Sequence, residues 1–292
     1  MKLSDINIRD PFIITSDGKY FMYGTRVKIT EEFPWGWGDQ RGFDVYVSTD
    51  MENWSEPVCV FEANDDFWGK SEFWAPEVHF YRGKYYMFAS FTADGAHRGT
   101  QILVSDTPDG RFVPLSGEPV TPREWECLDG TFYVDKKGKP HIIFCHEWVQ
   151  IGVGTVCEAE LSEDLSKRIS EPRVLWTAKD HPDIVSISDE EVAYVTDGPF
   201  LYRCEDGELL SIWSSFSKNG YIELISKSDN GDIDGNWTVL QELLFDEDGG
   251  HGMIFRDLDN RLFFTMHSPN TATLERPVIY PMFEKDGMLI IE

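Results

Sequence analysis

The chain has 292 residues, of which 52 are Asp or Glu and 26 are Lys or Arg, so its formal net charge is -26. This negative field repels phosphates and anionic lipid head groups, which excludes nucleic acid and membrane surfaces as expected partners. A neutral ligand such as a carbohydrate remains compatible with the charge. Aromatic residues make up 14% of the sequence, a content that suits both a β-rich core and a surface on which sugars stack.

The cysteines show no Cys-x-x-Cys pair and no metal-ligand spacing, and their odd number predicts free, buried thiols. The five are Cys59, Cys127, Cys145, Cys157 and Cys204. Residues 1–6 lack the apolar segment of a signal peptide, and no window approaches the roughly 18 apolar residues of a membrane span. These features predict a cytoplasmic protein, or a periplasmic or secreted one if a signal peptide was removed.

Strand-like runs follow one another along the chain, separated by turn residues and with almost no helical periodicity. The first predicted hairpin joins residues 12–15 to residues 20–24 through Asp17-Gly18, a tight-turn dipeptide. The same design recurs in chain order at residues 78–81 with 85–89, 132–134 with 141–144, 200–202 with 209–212, and 253–255 with 262–265. Each hairpin therefore predicts the opening of a structural repeat.

Most hairpins are followed by a third and a fourth apolar run. In the first repeat these runs cover residues 43–48 and 57–61, and in the second they cover residues 100–105 and 111–115. Four-stranded antiparallel repeats that close into a ring, so that sheet edges are covered, describe a β-propeller. We predict an all-β fold in which residues 1–292 form a single five-bladed β-propeller domain with four antiparallel strands per blade. A two-sheet sandwich is the alternative, and it does not explain the repeat.

A short polar motif precedes each hairpin, at intervals of 54 to 68 residues. The motifs are Arg9-Asp10-Pro11-Phe12, Trp74-Ala75-Pro76-Glu77, Leu128-Asp129-Gly130-Thr131, Thr196-Asp197-Gly198-Pro199 and Gly250-His251-Gly252-Met253. Asp10, Asp129 and Asp197 are predicted to stand at matching positions. Because the first strand of every blade lines the central channel of a propeller, these carboxylates should meet at one mouth. Facing carboxylates are the working groups of glycoside hydrolysis, one as the base for a water and one as the acid on the leaving oxygen.

The five motifs, in this order, resemble glycoside hydrolase family 43, and the resemblance covers essentially the whole chain. It implies a five-bladed propeller that hydrolyses arabinofuranosyl or xylosyl linkages with inversion, using an Asp base, an Asp that tunes the pKa of the acid, and a Glu acid. By motif, Asp10 matches the base and Asp129 matches the tuning residue. The family's Glu-Gly-Pro is Asp197-Gly198-Pro199 in this chain, which is one methylene shorter. Asp197 is the position-matched acid, and Glu147, at the end of a predicted strand of the third repeat, is the alternative.

The resemblance also matches His251 to a channel histidine that lies beside a calcium ion or a water, so one structural Ca2+ is implied. Because calcium prefers oxygen ligands, waters would have to complete its shell. Candidate sugar contacts are Trp74, Trp35, Trp148, His267 and Arg276. The flat face of Trp74 suits the C–H side of a pentose, and Trp35 stands in an aromatic loop, residues 33–38, expected over the channel mouth. His267 and Arg276 are candidates for hydrogen bonds to sugar hydroxyls.

These observations predict an inverting, exo-acting glycosidase, an α-L-arabinofuranosidase that removes terminal sugars from a plant-type polysaccharide or oligosaccharide. β-Xylosidase and endo-arabinanase are the near alternatives, because the same carboxylates serve several furanosides and pyranosides. A non-catalytic carbohydrate-binding propeller, in which Asp197 marks a lost acid, is a further alternative, and the presence of both Asp10 and Asp129 argues against it. The sequence leaves the oligomeric state open.

Overall fold

The computed structural model describes residues 1–31, 34, 36–37 and 41–292. Within these residues, twenty strands form five four-stranded sheets, and the strands of each sheet lie side by side in chain order. Neighbouring strands within every sheet are antiparallel. The predicted all-β fold, a five-bladed β-propeller with four antiparallel strands per blade, is therefore confirmed.

The first two strands of each blade correspond to the hairpins predicted from the sequence. The first two blades contain β1 (Ile8–Ser16), β2 (Lys19–Arg26), β3 (Gly42–Ser48), β4 (Val58–Glu62), β5 (Ser71–Tyr81), β6 (Lys84–Ala93), β7 (Ala96–Ser105) and β8 (Val113–Pro114). The third blade contains β9 (Cys127–Val134), β10 (Pro140–His146), β11 (Thr155–Glu160) and β12 (Arg173–Thr177). The last two contain β13 (Asp197–Arg203), β14 (Leu209–Ser217), β15 (Gly220–Ser228), β16 (Trp237–Val239), β17 (Gly250–Arg256), β18 (Leu262–Ser268), β19 (Arg276–Lys285) and β20 (Met288–Ile291).

Among the described residues, helical structure is confined to short segments outside the strands. One helix, α1 (Trp148–Ile151), follows β10, and 3-10 turns occur at Leu3–Asp5 and Ala178–Asp180. No helix in the described part of the chain has the length and apolar character needed to cross a membrane. The hairpin turns use residues that tolerate a left-handed backbone: Asp17 and Gly18 have φ of 48° and 71°, as a type I′ turn requires.

The core consists of five apolar clusters, one at each interface between neighbouring blades. The cluster between the first two blades is built largely from phenylalanines, namely Phe43, Phe61, Phe67, Phe73 and Phe91. The cluster between the fifth and first blades includes Met253 and Phe255 of β17 together with Ile8 and Phe12 of β1. Apolar burial therefore continues around the whole ring, which stabilises the closed arrangement.

All five cysteines are free, as predicted, but they are not all buried. Four are buried, whereas Cys59 is exposed, so the prediction of burial is wrong for this residue. Cys59 lies on β4, the outermost strand of the first blade. Within this strand, Val60 and Phe61 are buried in the cluster between the first two blades, whereas Val58 and Cys59 before them are exposed.

The N-terminal segment joins the first blade to the fifth. Arg9 Nη1 forms an ion pair with Glu275 Oε1 at 2.9 Å, and the Glu275 side chain is completely buried. Asn7 Nδ2 donates a hydrogen bond to the Glu275 carbonyl oxygen at 2.7 Å. Because β1 opens the ring and Glu275 directly precedes β19, these bonds fasten the two ends of the propeller together.

Replacement of Glu275 by Ala should destabilise the propeller strongly. Removing one partner of a buried ion pair leaves the other charge buried without compensation, which costs about 3–5 kcal/mol. Denaturant unfolding of the variant should therefore show a large fall in the unfolding midpoint. The matched control is Glu163→Ala, which removes an exposed ion pair with Arg82 and should scarcely change the midpoint. Equal midpoints for the two variants would contradict the proposed role of the Arg9 and Glu275 pair in ring closure.

Candidate active site

The innermost strand of every blade is interrupted by a bulge at the same place. The residue at the bulge has a left-handed backbone in each case, with φ of 54° at Asp10, 47° at Ala75, 55° at Asp129, 50° at Gly198 and 54° at His251. The strand pairing shifts by one residue at each of these points. Left-handed residues other than glycine are costly inside a strand and gather at functional sites. The five bulges therefore mark a candidate site at the centre of the ring.

The register of the fourth motif differs from the predicted one. Gly198, not Asp197, has the left-handed conformation that Asp10 and Asp129 have in their own blades. The prediction that the three Asp residues share one position is therefore wrong for Asp197, which stands one residue earlier in its strand. A glycine is needed at this bulge, because an added Cβ would lie only 2.8 Å from the ring of His251.

A pocket of about 390 Å3 lies where these strands meet. It brings together seven of the predicted site residues, which are Asp10, Asp129, Asp197, Glu147, Trp74, Trp148 and His251. Its volume is near the lower end of the range of roughly 300–1,000 Å3 that small-molecule sites occupy. The predicted contact Trp35 lies outside the described residues.

Asp10 is buried and held on both carboxylate oxygens. Thr25 Oγ1 donates a hydrogen bond to Asp10 Oδ2 at 2.5 Å, and His251 Nδ1 lies 3.3 Å from Asp10 Oδ1. Burial opposes ionisation, but His251 and then Arg9 outweigh it and hold the pKa of Asp10 below its usual value. Asp10 is therefore ionised at neutral pH, which is the state that a general base requires.

Asp129 is buried and shares His251 with Asp10. His251 Nδ1 lies 3.7 Å from Asp129 Oδ2, and the same oxygen accepts a hydrogen bond from the backbone N–H of Gly198 at 2.9 Å. Burial, followed by the neighbouring charge of Asp10, raises the pKa of Asp129 well above its usual value. Asp129 thus holds the backbone immediately after Asp197.

Two other carboxyl groups in the pocket keep a proton near neutral pH. Burial, and after it the neighbouring Asp129, raises the pKa of Asp197 to about 7. Burial also raises the pKa of Glu147 to about 7, although the ion pair with Arg98 opposes that shift. Both residues therefore have the protonation behaviour of a general acid.

Tryptophan and arginine side chains form the walls of the pocket. Trp74 Nε1 donates a hydrogen bond to the carbonyl oxygen of Trp37 at 2.7 Å. The guanidinium carbon of Arg98 lies 4.4 Å from the centre of the Trp74 ring, and that of Arg9 lies 4.4 Å from the centre of the Trp37 ring. Stacking of this kind fixes the orientation of the indole rings. Flat apolar faces beside carboxylates suit a sugar.

Two predicted sugar contacts do not line the pocket. His267 is fully buried, its Nδ1 accepts a hydrogen bond from the backbone N–H of Asp10 at 3.2 Å, and its Nε2 lies 3.1 Å from Asn270 Oδ1. Arg276 lines a separate surface cavity, where its Nε donates to the carbonyl oxygen of Ser4 at 3.0 Å. The prediction that these residues bind sugar hydroxyls is corrected, because the protein itself occupies the ring nitrogens of His267 and Arg276 holds the N-terminal segment.

Ten of the residues that line the pocket were not predicted as site residues, and Arg9, Trp37, Arg98 and Tyr221 are the ones among them with charged or hydrogen-bonding aromatic side chains. Arg9 and Trp37 have a local signal, because Arg9 precedes Asp10 and Trp37 stands in the aromatic loop. Arg98 lies within β7 and Tyr221 within β15. No local pattern distinguishes these two from other strand residues, and only the packing of the blades brings them to the pocket.

The donor atoms near His251 test the implied calcium ion. His251 Nε2 is buried and has no hydrogen-bond partner within the described residues, which fits a water or another ligand at this atom. However, the described ranges contain no group of three or more His, Cys, Asp or Glu side chains that could hold a metal ion. Calcium prefers oxygen ligands. The described side chains therefore do not form a calcium site by themselves.

Known proteins similar to this chain include several enzymes that act on sugars. A crystal structure of an endo-arabinase from Bacteroides thetaiotaomicron VPI-5482 is 39% identical, with a TM-score of 0.90 and coverage of 98% of each chain. An extracellular endo-α-(1→5)-L-arabinanase from Bacillus subtilis (strain 168) is 25% identical over 152 residues, which are 48% of this chain and 44% of the arabinanase. A xylosidase/arabinosidase from Humicola insolens is 26% identical over 153 residues, covering 50% of this chain and 46% of that protein. The matched segments span less than half the length of these two curated relatives.

The family model that matches the chain covers almost all of it. The model of glycosyl hydrolases family 43 aligns with residues 4–288. This range runs from the first 3-10 turn to β20 and contains every carboxylate of the pocket. The chain therefore belongs to glycosyl hydrolases family 43 and is a glycosidase.

Proposed function

We propose that this glycosidase is an inverting, exo-acting α-L-arabinofuranosidase that takes terminal sugars from a polysaccharide or oligosaccharide. The observation that carries the proposal is the presence in one pocket of an ionised Asp10 and of Asp197, whose pKa is raised to about 7. Two carboxyl groups whose pKa values are pushed apart supply the base and the acid of glycoside hydrolysis.

In the proposed reaction, Asp10 is the base and Asp197 is the acid. Asp10 takes a proton from a water, the water oxygen bonds to the anomeric carbon, and the glycosidic C–O bond breaks as Asp197 gives its proton to the departing oxygen. The water attacks from the face opposite the leaving group, so the configuration inverts. Asp129 supports the acid, because it favours the protonated form of Asp197 and accepts a hydrogen bond from the N–H of Gly198.

The size of the pocket supports exo action. A volume of about 390 Å3 suits a small number of sugar units. The hydrogen bond from Trp74 Nε1 to the Trp37 carbonyl oxygen joins two parts of the pocket wall. Endo-arabinanase activity is the second candidate, because the 39% identical structure from Bacteroides thetaiotaomicron is described as an endo-arabinase. In exo action only the end of the substrate chain enters the pocket, whereas in endo action the chain must extend out of the pocket on both sides of the cleaved bond.

A panel of aryl glycosides tests the proposed reaction. We expect hydrolysis of the aryl α-L-arabinofuranoside, with the inverted anomer appearing first in the proton NMR spectrum, and slow or no hydrolysis of the xyloside. Linear arabinan separates exo from endo action. Arabinose should appear while the viscosity falls slowly, whereas an early fall in viscosity with oligosaccharide products would assign endo action instead. Binding without hydrolysis of any glycoside would contradict the proposed enzymatic role.

The pH dependence should be governed by the acid on the alkaline side. A general acid must be protonated, so kcat/KM for a substrate with a poor leaving group should fall as the pH rises through about 7, the pKa of Asp197. The base must be ionised, and the pKa of Asp10 is lowered, so activity should persist well into the acidic range. A profile of kcat/KM against pH measures both limbs. A value of kcat/KM that rises as the pH increases through 7 would contradict these assignments.

The calcium ion implied by the family resemblance is a separate proposal. It would have a shell made mostly of waters, with the free Nε2 of His251 facing one of them. Isothermal titration calorimetry of protein treated with EDTA should then show one binding event for Ca2+ that is absent in His251→Ala. If the wild-type protein shows no heat of binding, the calcium proposal fails.

A further inference from the structure

Tyr221 is a buried side chain of the pocket that the proposed reaction does not yet use. It is the second residue of β15 and is only 1% exposed. Its hydroxyl group donates a hydrogen bond to Asp197 Oδ2 at 2.9 Å. Burial, and then the neighbouring Asp197, raises the pKa of Tyr221 well above its usual value, so the phenol remains a donor throughout the working pH range.

The hydrogen bond from Tyr221 distinguishes the two oxygens of Asp197. Oδ2 already accepts a hydrogen bond, and a protonated carboxyl group carries its single proton on one oxygen while the other accepts. The proton of Asp197 therefore belongs on Oδ1, the oxygen that Tyr221 leaves free. After that proton has been transferred, the same phenol stabilises the carboxylate that forms.

The ring of Tyr221 connects the acid to the base. It stacks on His267 with ring centres 5.7 Å apart and an angle of 22° between the planes, and His267 Nδ1 accepts the backbone N–H of Asp10. Gly250 allows this packing, because an added Cβ would lie 2.7 Å from the Tyr221 ring. One continuous set of contacts thus links the backbone of Asp10 to the carboxyl group of Asp197.

We propose that Tyr221 is the positioning residue for the shortened acid: it holds the Asp197 carboxyl group in place and keeps its proton on Oδ1, facing the leaving oxygen. The inference rests on the proposed function, in which Asp197 is the acid. Glu147 has a different partner, since it forms an ion pair with Arg98. A cationic partner stabilises the ionised form, whereas a phenol hydrogen bond to one oxygen leaves the other able to carry a proton.

The test is Tyr221→Phe, which removes the hydroxyl group and keeps the ring that packs on His267. Loss of a hydrogen bond to a charged group makes Asp197 a weaker acid, so on a substrate with a poor leaving group kcat should fall about tenfold below neutral pH. The alkaline limb of the profile should move to higher pH, and an activated aryl substrate should show little change. The matched control is Tyr202→Phe, which removes a phenol bonded to Glu284 at 2.6 Å outside the pocket and should leave the profile unchanged.

Two further measurements decide the outcome. In the Asp197→Asn background, Tyr221→Phe should have almost no additional effect, whereas a further tenfold loss would show that Tyr221 acts elsewhere and would overturn the proposal. A carbon-13 titration of the Asp197 carboxyl group should show its pKa raised by Tyr221→Phe, and an unchanged pKa would also overturn it. If that pKa rises while the pH profile stays in place, the hydrogen bond exists but Asp197 is not the acid, so the failure lies in the proposed function.

Discussion

Asp10→Asn should reduce the hydrolysis of an aryl α-L-arabinofuranoside by about a thousandfold or more, within the range that general-base catalysis supplies. The amide cannot accept a proton from water, and it also removes the charge that faces His251. The amide oxygen can still accept the hydrogen bond that Thr25 donates at 2.5 Å. We therefore expect the loss in kcat with little change in the unfolding temperature, which separates a chemical effect from a folding effect.

The matched control for this variant is Asp44→Asn in the same blade. Asp44 accepts a hydrogen bond from Arg26 Nε at 2.8 Å, but it does not line the pocket, so its replacement should leave turnover unchanged. Azide is an anion that needs no base, and it should restore part of the rate of Asp10→Asn by attacking the anomeric carbon directly. Unchanged turnover in Asp10→Asn, or an equal loss in the control, would contradict the assignment of the base.

Much of the fold could be predicted because its signals are local. Each hairpin is encoded by two apolar runs and a turn, as in Asp17-Gly18, and the polar motif ahead of each hairpin recurs five times. Repetition of one supersecondary unit then predicts a ring, since a single blade cannot bury both of its faces. The motifs also indicated Asp10 and Asp129, because the innermost strands of all blades meet at the channel.

The features of the site that could not be predicted depend on contacts between distant parts of the chain. Relative to the first and third motifs, the fourth motif is shifted by one residue at the bulge, so Gly198 and not Asp197 has the left-handed backbone. The amino-acid sequence alone does not reveal that shift. His267 was predicted to face the substrate but lies behind Asp10, because strand alternation alone does not say which face a neighbouring blade covers. Tyr221 and Arg98 reach the pocket from β15 and β7, and their roles arise only when the blades pack.

Asp197→Asn and Glu147→Gln should differ strongly in how their activity depends on the leaving group of the substrate. The variant that lacks the acid should lose about 10²–10⁴-fold of its activity on a natural linkage, because the leaving oxygen of that linkage must be protonated as it departs. The same variant should retain most activity on an aryl glycoside with a good leaving group, since that oxygen leaves as an anion. We expect Asp197→Asn to show this pattern, because Tyr221 donates a hydrogen bond to the Asp197 carboxyl group and the neighbouring Asp129 raises its pKa.

Glu147→Gln should lower both activities to a similar extent. Glu147 is paired with Arg98, and Arg98 stacks on Trp74 at 4.4 Å, so loss of the carboxylate disturbs the wall that positions the sugar rather than the proton supply. An effect on positioning is independent of the leaving group, whereas an effect on proton donation depends on it. The comparison therefore distinguishes the two candidates. If the loss of activity depends on the leaving group in Glu147→Gln but not in Asp197→Asn, the acid is Glu147. Asp197 would then hold the pocket in shape, and the one-methylene difference from the family's Glu would mark a transfer of the acid from the fourth blade to the third.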